Sequence, residues 1–334
     1  TVKFYNLYSR SDNSYMRKTA LFIAYSSNTL GYGHISRCLS LISKLPNNIL
    51  PILLTNKNQV IAKKVKDSKV EVLYEVNDYL LYLDIDIVIY DSSNSDNILL
   101  EKLSKAFNIL IYALDNFDYS SEFINVYINL FDQKPNAIKP KNKIIRQGLE
   151  YAIISDKILN VKKEYGGGSE IDNILILFGG ADPNNLTKEV LMFLNSINHQ
   201  CDVDVVLGPL NNNFDHISDL SKELKYKVNI FHDPNNLYEI MSKQDLSFSG
   251  CSTTFFELSF LGIPSIVLSQ NEAEENFVNY LHQQKLVQNI KLPIMDRWTQ
   301  MQDINVYNEF RKNQLNTFTG KGINNILSTI GIDL

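Results

Sequence analysis

The chain has 334 residues, a length that predicts two domains at roughly 150 residues each. Its 32 Lys and Arg residues against 37 Asp and Glu residues give a net charge of −5. This charge disfavours a protein that binds nucleic acid electrostatically, because such domains are usually basic. Hydrophobic residues make up 44% and charged residues 21%, ordinary values for globular proteins that exclude a disordered or fibrous chain.

Short apolar runs alternate with segments of helical periodicity through the first half of the chain. The predicted strands are 19–26, 49–55, 70–73, 85–90 and 109–114, and the predicted helices are 35–44, 58–65 and 98–106. The run 85–90 (IDIVIY) is nearly continuous in apolar residues, which is typical of strands buried on both faces of a parallel sheet. Strands that alternate with helices predict βαβ units and a parallel sheet.

The second half repeats this alternation. Its predicted strands are 173–178, 202–207, 227–231, 246–249 and 265–268, and its predicted helices are 186–195, 218–224, 237–243, 253–260, 274–284 and 306–316. A charged, glycine-rich stretch separates the halves and favours a linker at 151–170. We therefore predict two doubly wound α/β domains, at 16–150 and 171–305, with 1–15 as an extension.

The pattern of cysteines and the length of the apolar runs indicate the cellular compartment. Cys38, Cys201 and Cys251 are too few and too scattered for a disulfide framework, and none belongs to a C-x-x-C pair. Reduced thiols in the cytoplasm are the simplest interpretation. The apolar runs are also shorter than the roughly 20 residues of a membrane span. We expect a cytoplasmic protein without a transmembrane segment.

The loop after the first predicted strand carries two glycines and a histidine. Ligands of open α/β sheets bind outside the carboxyl ends of the strands, so this loop is a candidate site. Gly31 and Gly33 let the backbone approach a ligand, and the helix that follows directs free N–H groups at an anion. His34 stands where an imidazole can move a proton; the alternative is a capping or exposed histidine. Arg37 either reaches an anionic group or forms a surface ion pair.

The loop after the strand at 173–178 begins Gly179-Gly180 and continues to Asp182. Such a turn lets the chain pass beneath a ligand. The alternative is an ordinary βα turn with Asn185 or Thr187 near the helix N-cap.

The loop after the strand at 246–249 opens a helix with small and hydroxyl residues. Gly250, Ser252, Thr253 and Thr254 form a candidate phosphate site at that helix N-terminus. Glu257 follows on an otherwise apolar helix and can bond two ribose hydroxyls; the alternative is a solvated Glu favoured by the helix dipole. The remaining histidines show no metal-ligand spacing, so we predict no metal site.

Together the three loops resemble those of the UDP-2,4-diacetamido-2,4,6-trideoxy-β-L-altropyranose hydrolase family of pseudaminic acid synthesis. That family is part of the broader GT-B set, which includes the glycosyltransferase that makes lipid II. The matching patterns are G-x-G-H-x-x-R-C at 31–38, G-G-x-D-P-x-N-L-T at 179–187, and G-x-S-T-T-x-x-E at 250–257 followed by L-G-I-P at 261–264. Softer matches lie at 148–152, 205–208 and 236–241, so the resemblance spans about 19–281.

Two positions depart from the family pattern. Asp91-Ser92-Ser93 stands where the family usually has a tyrosine just after the strand, and Ser269-Gln270-Asn271-Glu272 stands where it shows Asn-Gln. In the family both positions contact the sugar. The motifs therefore match best on the nucleotide side.

The resemblance implies a GT-B fold, two Rossmann-like domains facing a cleft, with 306–334 crossing back to the N-terminal domain. It implies a UDP-sugar substrate and no metal cofactor, with His34 activating water and Asp91 as the next proton acceptor. The nucleotide-side residues would be Gly180, Gly250, Ser252, Thr253, Thr254 and Glu257. The sugar- and phosphate-side residues would be Gly31, Gly33, Arg37, Asp182, Gln270 and Asn271.

Three functions remain open at this point. The first is hydrolysis of the sugar–diphosphate bond with inversion, which releases UDP and a free amino-deoxy sugar for nonulosonic acid synthesis. The second is metal-independent transfer of the sugar to a glycan acceptor for a surface polysaccharide. The third is an inactive module that binds a nucleotide-sugar. Fusion or association with other sugar-biosynthesis enzymes is a further expectation.

Overall fold

Two parallel β-sheets carry the fold, one in each half of the chain. The structure is a computed structural model and describes residues 17–25, 33–57, 65, 70–76, 78–92, 94–132, 139–161, 171–198, 200 and 202–333. The strands of the first sheet are β1 (Lys18–Ala24), β2 (Ile49–Leu54), β3 (Glu71–Leu73), β4 (Ile87–Asp91), β5 (Ile111–Leu114), β6 (Val126–Asn129) and β7 (Ile144–Gln147). Their order across the sheet is β3-β2-β1-β4-β5-β6-β7.

The second sheet is smaller. Its strands are β8 (Asn173–Leu177), β9 (Asp202–Leu207), β10 (Val228–His232), β11 (Leu246–Ser249) and β12 (Ser265–Val267). They lie in the order β10-β9-β8-β11-β12, again with parallel pairing throughout.

Helices connect the strands and follow the last one. The α-helices are α1 (Gly33–Ser43), α2 (Asp78–Tyr82), α3 (Asn97–Phe107), α4 (Asp156–Leu159), α5 (Leu186–Ser196), α6 (Phe214–Ser221), α7 (Leu237–Ser242), α8 (Thr253–Phe260), α9 (Glu272–Gln283), α10 (Ile294–Gln302), α11 (Ile304–Thr317) and α12 (Gly322–Thr329). A short 3₁₀ helix covers Leu149–Tyr151. Where the structure describes the chain, no helix combines the length and hydropathy of a membrane span.

Each sheet has an apolar core on both of its faces. Successive side chains of a strand point to opposite faces, and in β1 Phe22 packs in one core while Leu21 and Ile23 pack in the other. The same alternation places Leu175 and Ile176 of β8 in different cores. The strand β4 is buried along its whole length, as its nearly continuous apolar run predicts.

The strand order reverses beside the first strand of each sheet. The chain adds β2 and β3 on one side of β1 and then β4 on the other; β8 lies likewise between β9 and β11. Ligands of open α/β sheets bind in the crevice at such a reversal, outside the carboxyl ends of the strands. The loops after β1 and β4, and those after β8 and β11, therefore border the two expected crevices.

The predicted architecture of two Rossmann-like parallel-sheet domains is confirmed. The predicted helix at 58–65 lies almost entirely outside the described residues, as do residues 1–15. The strands β6 and β7 and the helices α2, α4, α10 and α12 are not among the predicted elements. β6, β7, α2 and α4 are only four or five residues long, which is too short for a clear period. In α12 the buried residues Ile323, Ile326 and Leu327 do stand at helical spacing, so that signal was available in the sequence.

The expectation that the helix at 306–316 crosses back to the N-terminal domain is wrong; a further helix after it makes that return. The helix α11 stays on the second domain, where Tyr307 packs in the core and its hydroxyl donates to the Asp245 carbonyl at 2.7 Å. The next helix, α12, packs on the first domain with Ile323, Ile326 and Leu327 in the core of Phe22. The chain therefore crosses between the domains in the turn between α11 and α12.

The segment between the sheets is packed against both domains. Ile153 lies in a core of the first domain, whereas Ala152, Ile154 and Ile158 lie in a core of the second. A Cβ at Gly322 would collide with the Ala152 carbonyl, so the start of α12 sits directly on this segment. The three glycines at 166–168 lie outside the described residues.

Candidate functional site

The histidine of the first glycine turn meets the last residue of β4. β1 and β4 are paired, with Ala24 opposite Asp91, so the ends of the two strands meet at one edge of the sheet. His34 opens α1 there, and its Nδ1 lies 2.6 Å from Asp91 Oδ1. Asp91 is fully buried, whereas His34 keeps 16% of its side-chain surface exposed.

Arg37 links this pair to a second carboxylate. One turn after His34, its guanidinium donates to both oxygens of Asp91, at 3.1 Å from Nε and 2.5 Å from Nη2. Its Nη1 bonds to Asp115, which directly follows β5. His34, Arg37, Asp91 and Asp115 form one cluster at the carboxyl edge, which we call the catalytic cluster.

The charges of this cluster favour an ionised Asp91. Burial by itself raises the pKa of this carboxyl, but the adjacent Arg37 and His34 outweigh burial and hold the pKa below its usual value. A buried ionised carboxylate is the expected acceptor for an imidazole N–H. His34 Nδ1 lies 2.6 Å from this anionic acceptor and 3.0 Å from Arg37 Nη2, so the tautomer that serves the nearer, charged acceptor carries its hydrogen on Nδ1 and leaves the lone pair on Nε2, where it can accept a proton.

Arg37 is thus an internal counter-charge. Its Nε and both terminal nitrogens contact Asp91 or Asp115, and 13% of its side-chain surface is exposed. The guanidinium accordingly bonds to the carboxylates that position His34 and does not form an open anion-binding site.

The glycine turn after β8 packs tightly against the loop after β9. Gly179 has φ +73°, in the left-handed region that favours glycine. A Cβ at Gly208 would lie 2.5 Å from Gly180 Cα and 2.6 Å from the Gly180 carbonyl oxygen. The Gly180 carbonyl also accepts from the Leu210 N–H at 2.9 Å. These contacts fix the turn at the edge of the second crevice.

Asp182 caps the helix that follows this turn. Its Oδ1 accepts from the Leu186 N–H at 2.8 Å, and its Oδ2 accepts from the Thr187 N–H and hydroxyl at 3.0 and 2.6 Å. Side chains with oxygen acceptors commonly satisfy the free N–H groups of a first helical turn. Asp182 is buried, and both of its carboxylate oxygens accept hydrogen bonds from the helix. Asp182 therefore stabilises the conformation of the loop at the ligand site.

The loop after β11 opens α8 with half-buried Ser252, Thr253 and Thr254. Ser252 is the N-cap residue and makes no side-chain cap hydrogen bond, so it leaves the first amides of α8 to another partner. Glu257 lies one turn further, buried, and its Oε1 accepts from the Tyr238 hydroxyl at 3.0 Å. Burial and the Glu257 carboxylate raise the pKa of Tyr238, which keeps the phenol a donor.

Gln270 and Asn271 lie beside this second crevice. The Gln270 Nε2 lies 3.5 Å from the Phe178 carbonyl, at the end of β8, and 3.0 Å from the position of a Cβ at Gly250. Asn271 is the N-cap of α9 and its Oδ1 accepts from the Glu274 N–H at 2.9 Å. Both residues thus border the second crevice, and Asn271 has a capping role.

A small cavity of about 20 Å³, room for about one water molecule, lies between the two domains next to the catalytic cluster. Arg37 and Asp115 line it from the first domain and Phe256 of α8 lines it from the second. A separate aromatic contact joins the domains, because Phe131 after β6 stacks on Phe277 of α9 with ring centroids 4.7 Å apart. The first turn of α8 is therefore close to the cavity that borders the cluster.

The structure brings the predicted residues into two groups. The first group contains His34, Arg37 and Asp91, together with Gly33. The second group borders the second crevice and contains Gly180, Gly250, Gln270 and the start of α8. Gly31 lies outside the described residues. Sequence reasoning missed Asp115, although its place right after a predicted strand was an available signal. It also missed the contact of Tyr238 with Glu257, although Tyr238 lies within the softer match at 236–241. Within the described ranges, no group of three or more His, Cys, Asp or Glu is arranged to hold a metal ion.

The architecture is that of GT-B proteins, and solved structures share it. The structure of MurG from Acinetobacter baumannii aligns with a TM-score of 0.63 at 11% identity, covering 94% of this chain and 99% of that one. UDP-GlcNAc 2-epimerase from Neisseria meningitidis aligns with a TM-score of 0.63 at 13% identity, covering 94% and 100%. At these identities the likeness establishes the fold.

Two curated proteins are similar in sequence. The uncharacterized protein MJ1062 of Methanocaldococcus jannaschii is 31% identical over 277 residues, which cover 78% of this chain and 57% of that protein. The chain thus spans little more than half the length of this relative. The spore coat polysaccharide biosynthesis protein SpsG of Bacillus subtilis is 23% identical over 260 residues, covering 72% and 74%. No protein-family model matches the chain.

Proposed function

We propose that the protein hydrolyses a UDP-sugar to UDP and a free amino-deoxy sugar, with inversion at the anomeric carbon. The catalytic cluster is the observation that carries this proposal. A histidine that donates Nδ1–H to a buried, ionised carboxylate is oriented as a general base, with Nε2 as the proton acceptor. The cluster lies at the strand-order reversal of the first sheet, where a ligand is expected.

In the proposed reaction His34 Nε2 takes a proton from a water molecule. The water oxygen attacks the anomeric carbon from the side opposite the diphosphate, and the bond from that carbon to the diphosphate oxygen breaks. UDP leaves with the electron pair of that bond. The Asp91 carboxylate stabilises the imidazolium that forms, because the two groups stay hydrogen-bonded throughout.

The second domain would hold the nucleotide. Glu257 would accept hydrogen bonds from the ribose hydroxyls, with Tyr238 fixing its carboxylate. The amides of Ser252, Thr253 and Thr254 would take the diphosphate at the N-terminus of α8, beside Gly180 and Gly250. These amides would stabilise the leaving group without a resident metal. Gln270 and Asn271 border the same crevice on the sugar side.

A glycosyltransferase is the second candidate. Two serines, Ser92 and Ser93, follow Asp91 where the hydrolase motif has a tyrosine, so the sugar side differs from that motif. One similar protein is named for spore coat polysaccharide biosynthesis. In this reaction His34 would deprotonate an acceptor hydroxyl, and the acceptor would be a glycan.

The third candidate is an inactive module. It would bind a nucleotide-sugar in the second crevice and would not turn it over.

Release of UDP from a panel of UDP-sugars, with and without acceptor glycans, tests these functions. Steady release with water alone supports hydrolysis of a pseudaminic-type precursor; release only with an acceptor makes the protein a transferase. Tight binding of UDP-sugars without release under either condition would overturn both.

The matched pair of variants is His34→Asn and His216→Asn. His216 is exposed on α6 of the second domain. His34→Asn should lower kcat by a factor of ~10²–10⁴, the usual share of a general base, while UDP affinity is retained. His216→Asn should match the wild type. Turnover of His34→Asn within about tenfold of the wild type would remove His34 as the base.

A further inference from the structure

One carboxylate joins the two loops that follow neighbouring strands of the second sheet. Glu274 lies in the first turn of α9, and its Oε2 accepts from the Gln270 N–H at 2.9 Å. The same carboxylate accepts from the backbone N–H of Cys251, and its Oε2 lies 3.8 Å from the position of a Cβ at the neighbouring Gly250. Gln270 follows β12 and Cys251 follows β11, and these strands are paired. Glu274 therefore connects the α8 loop to the α9 loop.

This arrangement is more than a helix cap. In a capping box, a Glu at the third helical position bonds back to the N–H of the N-cap residue. Here Glu274 bonds instead to the residue before the N-cap Asn271 and to a second loop. The second bond contributes nothing to the cap of α9, so it needs a different explanation.

The Glu274 carboxylate is partly buried, and burial disfavours its negative charge. Burial raises the pKa of Glu274, and the N–H groups of Gln270 and Cys251 only partly offset that effect. A partly buried carboxylate is costly unless hydrogen bonds satisfy it. The bonds to Gln270 and Cys251 are therefore the interactions that favour its charged form and hold it in place.

The loops that Glu274 joins also contain buried polar atoms with open hydrogen-bonding capacity. Ser249 Oγ and Gln270 Oε1 are buried and have no hydrogen-bond partner among the described residues. Buried polar atoms of folded proteins nearly always have a partner, so these two atoms beside Gly250 are acceptors with unused capacity for a polar ligand. A Cβ at Gly250 would lie 3.0 Å from Gln270 Nε2, which leaves no spare room for a side chain there.

We propose that Glu274 is a positioning residue of the nucleotide site: it holds the Cys251 N–H and so orients the next three amides, Ser252 to Thr254, toward the diphosphate. The inference rests on the proposed function, because it assigns the diphosphate to the start of α8. Glu274 itself does not touch the ligand. A carboxylate has the same sign of charge as the diphosphate, so Glu274 contacts the loop on the side away from the ligand.

Affinities for UDP and for uridine, measured on the full chain, separate this role from a structural one. Uridine lacks the phosphates, so its affinity reports on the Glu257 side alone. Glu274→Gln should weaken UDP binding about tenfold, the loss expected for hydrogen bonds to a charged acceptor, and should leave uridine binding unchanged. Glu275→Gln is the matched control, because Glu275 is exposed in the same turn of α9; it should bind both ligands like the wild type.

Glu274→Asp is the second variant, should Glu274→Gln fail to fold. It retains the charge but is one methylene too short to hold both N–H groups, so it should also weaken UDP and spare uridine. Equal UDP affinity in the variants and the wild type would overturn the inference. Equal losses for UDP and uridine would overturn it as well, because they indicate a collapsed site. If the wild type binds no UDP, the proposed function itself fails.

Discussion

Asp91→Asn removes the charge that orients His34 while it keeps the shape of the side chain. In the wild type the fully buried carboxylate accepts from His34 Nδ1 at 2.6 Å and from two nitrogens of Arg37. An amide at this position can donate to Nδ1, which would move the imidazole hydrogen to Nε2 and remove the proton acceptor. We expect kcat to fall by a factor on the order of 10⁴, as for other carboxylates that fix a histidine tautomer.

The same substitution also has a cost in stability. The amide side chain of the Asp91→Asn variant would offer Arg37 one acceptor oxygen instead of two, while the bond from Arg37 to Asp115 would remain. Losing one hydrogen bond of a charged, buried pair costs about 1–3 kcal/mol in the free energy of unfolding.

The stability difference has a defined pH dependence. The folded pKa of Asp91 is lowered, because Arg37 and His34 outweigh the effect of burial. A lowered pKa stabilises the fold above the unfolded value of about 3.9, and this stabilisation is lost as the pH falls through the folded value. The difference in unfolding free energy between wild type and Asp91→Asn should therefore be constant near neutral pH and shrink below about pH 4.

Turnover of UDP-sugar and urea unfolding from pH 7 down to pH 3 provide the assay. Asp86→Asn is the matched control, because Asp86 is exposed just before β4 and its carboxylate accepts from the Thr19 N–H at 2.8 Å. If Asp91→Asn retained turnover within about tenfold of the wild type and unfolded with the same pH profile, the orienting role of Asp91 would be refuted.

Two further variants test the second domain. Glu257→Gln keeps an oxygen for the Tyr238 hydroxyl but removes the charge, so calorimetry should show UDP affinity reduced by a factor of about 10 or more; an unchanged affinity would contradict the ribose assignment. Gly208→Ala places a Cβ 2.5 Å from Gly180 Cα and should lower the free energy of unfolding by about 1–3 kcal/mol in urea titrations. Gly33→Ala, whose Cβ meets nothing within 4 Å, is the control for stability, and equal losses in both variants would show that the contact at Gly208 is unimportant.

Much of the site was predictable because its signals are local. A glycine turn between a strand and a helix needs only adjacent residues, so His34 and the Gly250 loop were evident from spacing alone. Glu257 was likewise evident as a carboxylate on an apolar helix. The alternation of strands and helices also predicted two parallel sheets.

The side-chain partners were not predictable, because they depend on strands far apart in the chain. Asp91 pairs with His34 only because β4 lies beside β1, and Asp115 reaches Arg37 only because β5 lies beside β4. Asp182 was placed on the sugar side from its motif, but the structure shows its carboxylate occupied as a helix cap. A motif specifies a residue type, and only the packed neighbours decide which of its hydrogen bonds remain available.

The sequence by itself thus determined the elements and the loops that carry chemistry, since periodicity and glycine turns act over a few residues. The tertiary structure alone decided which C-terminal helix returns to the first domain and that Glu274 contacts Cys251. Both contacts join segments that are distant in the chain, and such contacts depend on strand order and on the filling of shared cores. For the same reason the ionisation of Asp91 could be argued only once Arg37 and His34 were found around it.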